Sequence, residues 1–177
     1  IGFGQPAVWY EAHIEYPGYS FYGHHLAGIP FGVLGNNRFC GWGFTMFEND
    51  DIDFFIETTN PENTKQVKFK DQWEELKSRN EIIQVKDKEE VTLEVKTSRH
   101  GPIINGIIEH TDKATSPVAL SWILTHETNE DLEAIYRLNH ANTFAEVQKA
   151  VSLISAPGLN IMYGDTDKNI AWWAAAK

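Results

Sequence analysis

Turn signals recur at short intervals through the first sixty residues, at Pro17-Gly18, Gly28-Ile29-Pro30, Gly35-Asn36-Asn37 and Asn60-Pro61. The segments between them are too short for ordinary helices and rich in aromatic and branched residues. Short apolar segments with this punctuation favour an antiparallel sheet. Ala7 to Ile14 alternates Val8, Tyr10 and Ala12 with Trp9, Glu11 and His13, a strand pattern. Strands are expected at Tyr19–His25, Phe31–Leu34, Phe39–Thr45 and Ile52–Thr58, with Asn36-Asn37 as a turn. Gly41 and Gly43 flank Trp42, leaving backbone open beside a large ring. Glycine inside a strand often marks close approach of a ligand or another backbone.

The middle of the chain is more polar. Gln66–Lys70 reads as a strand, Gln72-Trp73 as the next turn, and Glu81–Val85 with Val91–Thr97 as a hairpin around Lys86-Asp87-Lys88. Ser98-Arg99-His100-Gly101-Pro102 ends it, and Ala119–Leu124 is a further apolar strand. Helix is expected only afterwards, over Asp131–Asn139 and again from Thr143. Thr143-Phe144-Ala145-Glu146 is a capping box, followed by Val147, Val151 and Ile154 at helical spacing. Pro157-Gly158 stops that helix. Leu159–Tyr163 and Ile170–Ala174 form a hairpin around Gly164 to Asn169. No repeat or linker divides residues 1–177, so one partial domain of α+β, mostly antiparallel, class is expected.

Composition narrows the function. A net charge of -10 excludes an ordinary nucleic-acid binder, which needs a basic face, and disfavours anionic membranes. No run approaches a membrane span. Cys40 is the single cysteine, so an internal disulfide is impossible. The chain starts at Ile1 and stops inside the apolar run ending at Lys177, as a processed product or excised piece would.

Taken singly, the candidate sites are weak. His24 and His25 point to opposite faces of a strand and cannot share one metal. Asp165, Asp167 and Asn169 begin like a calcium loop, but Ile170 and Ala176 stand where its glycine and closing glutamate belong. A hairpin turn fits better. Ser98, His100 and Asp112 lack any spacing that supports a catalytic triad. Trp172-Trp173 would put one ring in the core and one outside. Exposed aromatics of this kind leave open a noncatalytic β-rich module that binds carbohydrate or protein.

The order of motifs is more specific. Pro6-Ala7-Val8-Trp9-Tyr10-Glu11-Ala12-His13, Pro17-Gly18-Tyr19, Gly28-Ile29-Pro30, Gly35-Asn36-Asn37, Gly41-Trp42-Gly43-Phe44-Thr45, Asp50-Asp51-Ile52-Asp53 and Thr97-Ser98-Arg99-His100-Gly101-Pro102 resemble the penicillin acylase (penicillin amidase) family, in the first part of its β subunit after the opening residues. Leu159 to Asp165 and Lys168 to Trp172 are similar to the family's strand pair after its helix. The resemblance implies part of an N-terminal nucleophile hydrolase, an αββα sandwich. In that family the first serine of the β subunit attacks a linear amide, with its own α-amino group as base.

Carried over by position, the resemblance implies that the backbone N–H of Met46 is an oxyanion donor. Ile1 and Leu34 would line the acyl pocket. Asp50, the carbonyl of Ile52 and Asp53 would be ligands of a structural calcium ion, in a site incomplete within this chain. The implied substrate is a small-molecule amide of the penicillin side-chain or acyl-homoserine-lactone type. The implied partners are an α subunit and the remainder of the β subunit, and the implied location is periplasmic or secreted. The departures are equally specific. Ile1 lies beyond the position of the serine, Asn36 replaces a histidine, and the second oxyanion donor, an asparagine, falls outside the chain. The fragment alone is expected to be inactive and, with sheet faces and edges exposed, to self-associate.

Overall fold

The computed structural model describes residues 4–109, 111–126 and 128–176. Contacts divide it into two compact units, Ile1–Asn49 with Thr128–Lys177, and Asp50–Glu127.

The chain begins with β1 (Trp9–Tyr16), β2 (Tyr19–Leu26), β3 (Leu34–Asn37) and β4 (Cys40–Met46). The second unit then contributes β5 (Ile52–Ile56), β6 (Thr59–Asn60), β7 (Asn63–Phe69), β8 (Gln72–Glu75), β9 (Lys77–Ile83), β10 (Val91–Ser98), β11 (Gly101–Pro102), a 3-10 turn at Thr111–Lys113, β12 (Val118–Trp122) and the short α1 (Ile123–His126). The first unit resumes with α2 (Asp131–His140), α3 (Phe144–Val151), β13 (Leu159–Asp165) and β14 (Ile170–Ala175).

In the first unit six antiparallel strands run in the order β1-β2-β3-β4-β13-β14. Register sets which side chains reach the core. Phe21 and His25 on β2, Cys40 and Trp42 on β4, and Ile161 and Tyr163 on β13 are all buried. All of these but His25 form one core cluster with Ala134 and Leu138 of α2, and Val147, Ala150 and Val151 of α3. His24 is exposed and His25 buried, as period-two alternation requires. The Thr143 hydroxyl accepts from the Glu146 N–H at 3.3 Å, and the Glu146 carboxylate accepts from the Asn142 N–H at 2.8 Å. Thr143 thus covers one free amide of the first turn, and Glu146 ties back to the residue before the cap.

Five rings run from the β1–β2 turn across α2. Tyr16 stacks on Tyr19 at 4.5 Å, Tyr19 lies 4.8 Å from His140, His140 4.3 Å from Tyr136, and Tyr136 5.1 Å from Phe31. The last turn of α2 is tied to the sheet through them.

The second unit holds three small antiparallel sheets, β11-β10-β9, β12-β5 and β6-β7-β8. Among its described residues, the buried apolar ones are Val67, Ile104, Val118 and Ala119. The hairpin of β9 and β10 pairs Val91 with Ile83 through Thr97 with Lys77.

Several local expectations shift. Asn36 and Asn37 belong to β3, and the chain turns at Arg38-Phe39, because the Asn37 carboxamide oxygen accepts from the N–H groups of Phe39 and Cys40, both at 2.8 Å. Only Leu34 of the Phe31–Leu34 segment is strand. Gln72-Trp73 are strand, the turn falling at Lys70-Asp71, where Lys70 takes φ 52°. Leu124 lies in α1, beyond the end of β12.

Candidate active site

The end of β4 opens into an apolar cavity of about 550 Å³ within the first unit. This is an ordinary size for a small-molecule site. It is lined by Leu34 with Val33, Ile29 and Leu26, by Phe44, Thr45 and Met46 of β4 with Leu159, and by Ile135 of α2 and Ile154 beyond the end of α3. Among the described residues, the single carboxylate on its lining, Asp131, is occupied. Its oxygens accept from the Ser155 N–H at 2.8 Å and the Ser155 hydroxyl at 3.2 Å. The lining therefore suits a hydrocarbon group more than a charged one.

Met46 has a particular backbone setting. The Phe47 N–H donates to the Gly158 carbonyl at 2.9 Å, and Met46 stands opposite Leu159. Antiparallel pairs alternate between bonded and non-bonded, so Met46–Leu159 is a non-bonded pair and the Met46 N–H faces away from β13. On its other side β4 pairs with β3 only at Trp42 and Gly41. Neither strand uses the Met46 amide. Asn160 Nδ2 donates to the Met46 carbonyl at 2.8 Å, and Trp172 Nε1 donates to Asn160 Oδ1 at 3.1 Å. Trp172, 58% exposed, is the outer ring of its pair, while Trp173 packs against the core.

The structure thus brings Leu34 and Met46 to one cavity. Ile1 lies outside the described residues. Asp50, Ile52 and Asp53 belong to the second unit and are exposed. The Ile123 N–H donates to the Asp51 carbonyl at 3.2 Å, and Ile52 pairs with Trp122. By the same alternation the Ile52 carbonyl faces away from β12. Two carboxylates and a carbonyl are hard oxygen donors suited to calcium. Among the described residues, no three His, Cys, Asp or Glu side chains gather as a metal site by themselves.

The other candidates have structural roles. His100 Nδ1 lies 2.9 Å from Oε1 of the buried Glu57, and its ring stacks on Phe55 at 4.0 Å. The Ser98 hydroxyl accepts from the His100 N–H at 3.1 Å, so it serves the turn. The side chain of Asp112 lies outside the described ones. Asp165 accepts from the Asn169 N–H at 2.8 Å and from the Tyr163 hydroxyl at 2.7 Å, as a hairpin-turn residue. Burial and then the bond to Asp165 push the Tyr163 hydroxyl up. Burial acts against ionisation of Asp165, but the bonds from Asn169 and Tyr163 outweigh it and hold the carboxyl low. Burial first, then the nearby Asp165 charge, push the Cys40 thiol up to about 11.

Sequence reasoning missed Asn139 and Asn160. Both carboxamides work through partners distant in sequence, and no local pattern announces them.

The model of the penicillin amidase family matches residues 1–177. The chain belongs to this family. Among curated relatives, the acyl-homoserine lactone acylase QuiP of Pseudomonas aeruginosa is 27% identical over 175 residues, covering 94% of this chain and 20% of its own length. The penicillin G acylase of Escherichia coli is 26% identical over 172 residues, covering 97% of this chain and 20% of its own. A thermostable penicillin G acylase from Alcaligenes faecalis superposes with a TM-score of 0.84 at 23% identity, over 99% of this chain and 31% of that one. That likeness establishes the shared fold. The penicillin amidase relatives are much longer, and this chain spans about a fifth of their length.

Proposed function

We propose that this chain is part of an amidohydrolase that cleaves a linear amide and takes the apolar acyl group into the cavity at the end of β4. The observation that carries this reading is that Leu34 and Met46 line one apolar cavity while neither β3 nor β13 uses the Met46 amide. Family membership and the relatives named as acylases supply the chemistry.

In this reading the larger protein is an αββα N-terminal nucleophile hydrolase. Its serine, outside this chain, attacks the amide carbonyl while its own α-amino group takes the hydroxyl proton. The Met46 N–H and an asparagine side chain from elsewhere stabilise the oxyanion. The amine leaves with a proton, and water then releases the acyl group from the serine. A fixed amide suits the donor role because it needs no reorganisation as charge develops. Asp50, Asp53 and the Ile52 carbonyl would hold a structural calcium ion, completed by ligands elsewhere. The protein works with an α subunit and the rest of the β subunit, in the periplasm or outside the cell, and this chain alone is inactive and prone to self-association. The lining favours an aliphatic acyl group, which agrees with relatives named for acyl-homoserine lactones.

The test is to express the full-length reading frame, determine the N-terminus of the subunit carrying this segment by mass spectrometry, and assay N-acyl amides of graded chain length. A cleaved chain beginning with serine upstream of Ile1, with amide hydrolysis, is expected. An unprocessed protein without turnover would sink the reading.

A further inference from the structure

We infer that Asn139 is a positioning residue that sets the depth of the cavity by clamping the segment leading into Leu34. This rests on the reading of that cavity as the acyl site.

Asn139 lies in the last turn of α2 and is 1% exposed. Its Oδ1 accepts from the Gly32 N–H at 3.0 Å and the Tyr19 hydroxyl at 3.0 Å. Its Nδ2 donates to the Gly32 carbonyl at 2.7 Å and the Ile135 carbonyl at 2.8 Å. Two acceptor positions and two hydrogens are the full capacity of a carboxamide, and all are used. Half of that capacity goes to the backbone of one residue. Asn139 holds both polar groups of Gly32, as a neighbouring strand would.

The segment has little freedom beyond that grip. A Cβ on Gly32 would lie 1.7 Å from Cε1 of Phe21, so the backbone rests directly on that ring. The next residue is held on both sides: the Val33 N–H donates to the His24 carbonyl at 2.9 Å, and the Val33 carbonyl accepts from Trp42 Nε1 at 3.0 Å. Leu34 follows, on the cavity wall. Asn139 therefore fixes the upstream end of a short rigid strut whose downstream end is the wall. A buried carboxamide that only stabilised the fold would satisfy its neighbours without bearing on which acyl group fits. One methylene of misfit in an apolar pocket changes selectivity by about 10-fold or more, so a small retreat of Leu34 would be read by chain length.

The test uses the full-length processed protein with Asn139→Asp, which keeps both Oδ1 bonds and loses both Nδ2 donors. The ratio of kcat/KM between long and short N-acyl amides is expected to shift about 10-fold. The change should fall mainly in KM, with kcat on the best short substrate nearly unchanged. Amide hydrogen exchange at Gly32 to Leu34 should accelerate while β13 and β14 keep their protection. Tyr19→Phe removes one of the four bonds and should shift the ratio less, in the same sense; it also serves if Asn139→Asp does not fold. An unchanged chain-length ratio in an active protein overturns the inference, whatever the exchange shows. If the parent protein hydrolyses none of the amides, the acylase reading fails separately. Affinities for octanoate, decanoate and dodecanoate measured by calorimetry then decide: a profile altered by Asn139→Asp supports the clamp, and an unaltered one overturns it.

Discussion

Asn160 holds the Met46 carbonyl with its Nδ2 at 2.8 Å, across a sequence separation of 114 residues. The two residues sit on adjacent strands, and Trp172 fixes the other end of the carboxamide. The orientation of Met46 is therefore set by β13 and β14 as well as by β4. Asn160→Asp keeps the acceptor for Trp172 but loses the donor to Met46. On the proposed oxyanion role of Met46, this change is expected to lower kcat of the full protein about 10-fold, since small misplacements of a transition-state donor are costly. KM should change little, and all acyl lengths should suffer equally. A rise in KM with unchanged kcat would count against an oxyanion role for Met46.

Gly32→Ala should destabilise the chain by about 1–3 kcal/mol, the usual cost of overpacking. The methyl group would enter the space of the Phe21 ring. That ring is fully buried against His25 and Trp42 and has no room to retreat. In a Phe21→Leu background the same substitution should cost less. A urea-unfolding double-mutant cycle measures the coupling, and additive effects would show that the ring is not the obstacle.

The bond from the Asn142 N–H, helped by Thr143 and only partly opposed by burial, holds the Glu146 carboxyl below its ordinary range. A carboxyl lowered on folding contributes stability above its unfolded value, and loses it as pH falls through the folded one. The stability gap between the parent and Glu146→Gln should thus be present at neutral pH and vanish in acid. Thr143→Ala should cost about 1 kcal/mol. Thermal melts from pH 3 to pH 7 test both.

Cys40 is 4% exposed and its thiol is pushed up to about 11. The thiolate is the reactive form, so an aromatic disulfide reagent at neutral pH should label it very slowly in the folded chain and rapidly in urea. Fast labelling without denaturant would mean that the first unit opens readily.

Much of the fold was legible because its local chemistry was unambiguous. Pro17-Gly18 could only turn, Val91 to Thr97 could only alternate, and Thr143 with Glu146 marked a helix start. The misplacements share one cause. Asn37 looks like a turn residue, and it does make the turn, but its side chain reaches forward to Phe39 and Cys40 from the end of β3. Trp73 looked like a pin for a turn because nothing local showed that Lys70 would take the left-handed conformation instead. In the candidate site, the order of family motifs pointed to Leu34 and Met46, and both line one cavity. Asn139 and Asn160 could not be found that way, since what distinguishes them is the backbone they meet more than a hundred residues away.

That separation bears on how the polypeptide is made. The first unit is discontinuous, Ile1–Asn49 completed by Thr128–Lys177, whereas Asp50–Glu127 is continuous. On the ribosome β1 to β4 emerge before β13, so β4 has a bare edge until β13 is translated. The inserted stretch can settle meanwhile, because its pairings are nearer in sequence. Closing β4 onto β13 spans the whole insertion and is the entropically demanding step. Until then the nascent sheet presents an open edge to other chains, and a translational pause after β4 would lengthen that exposure.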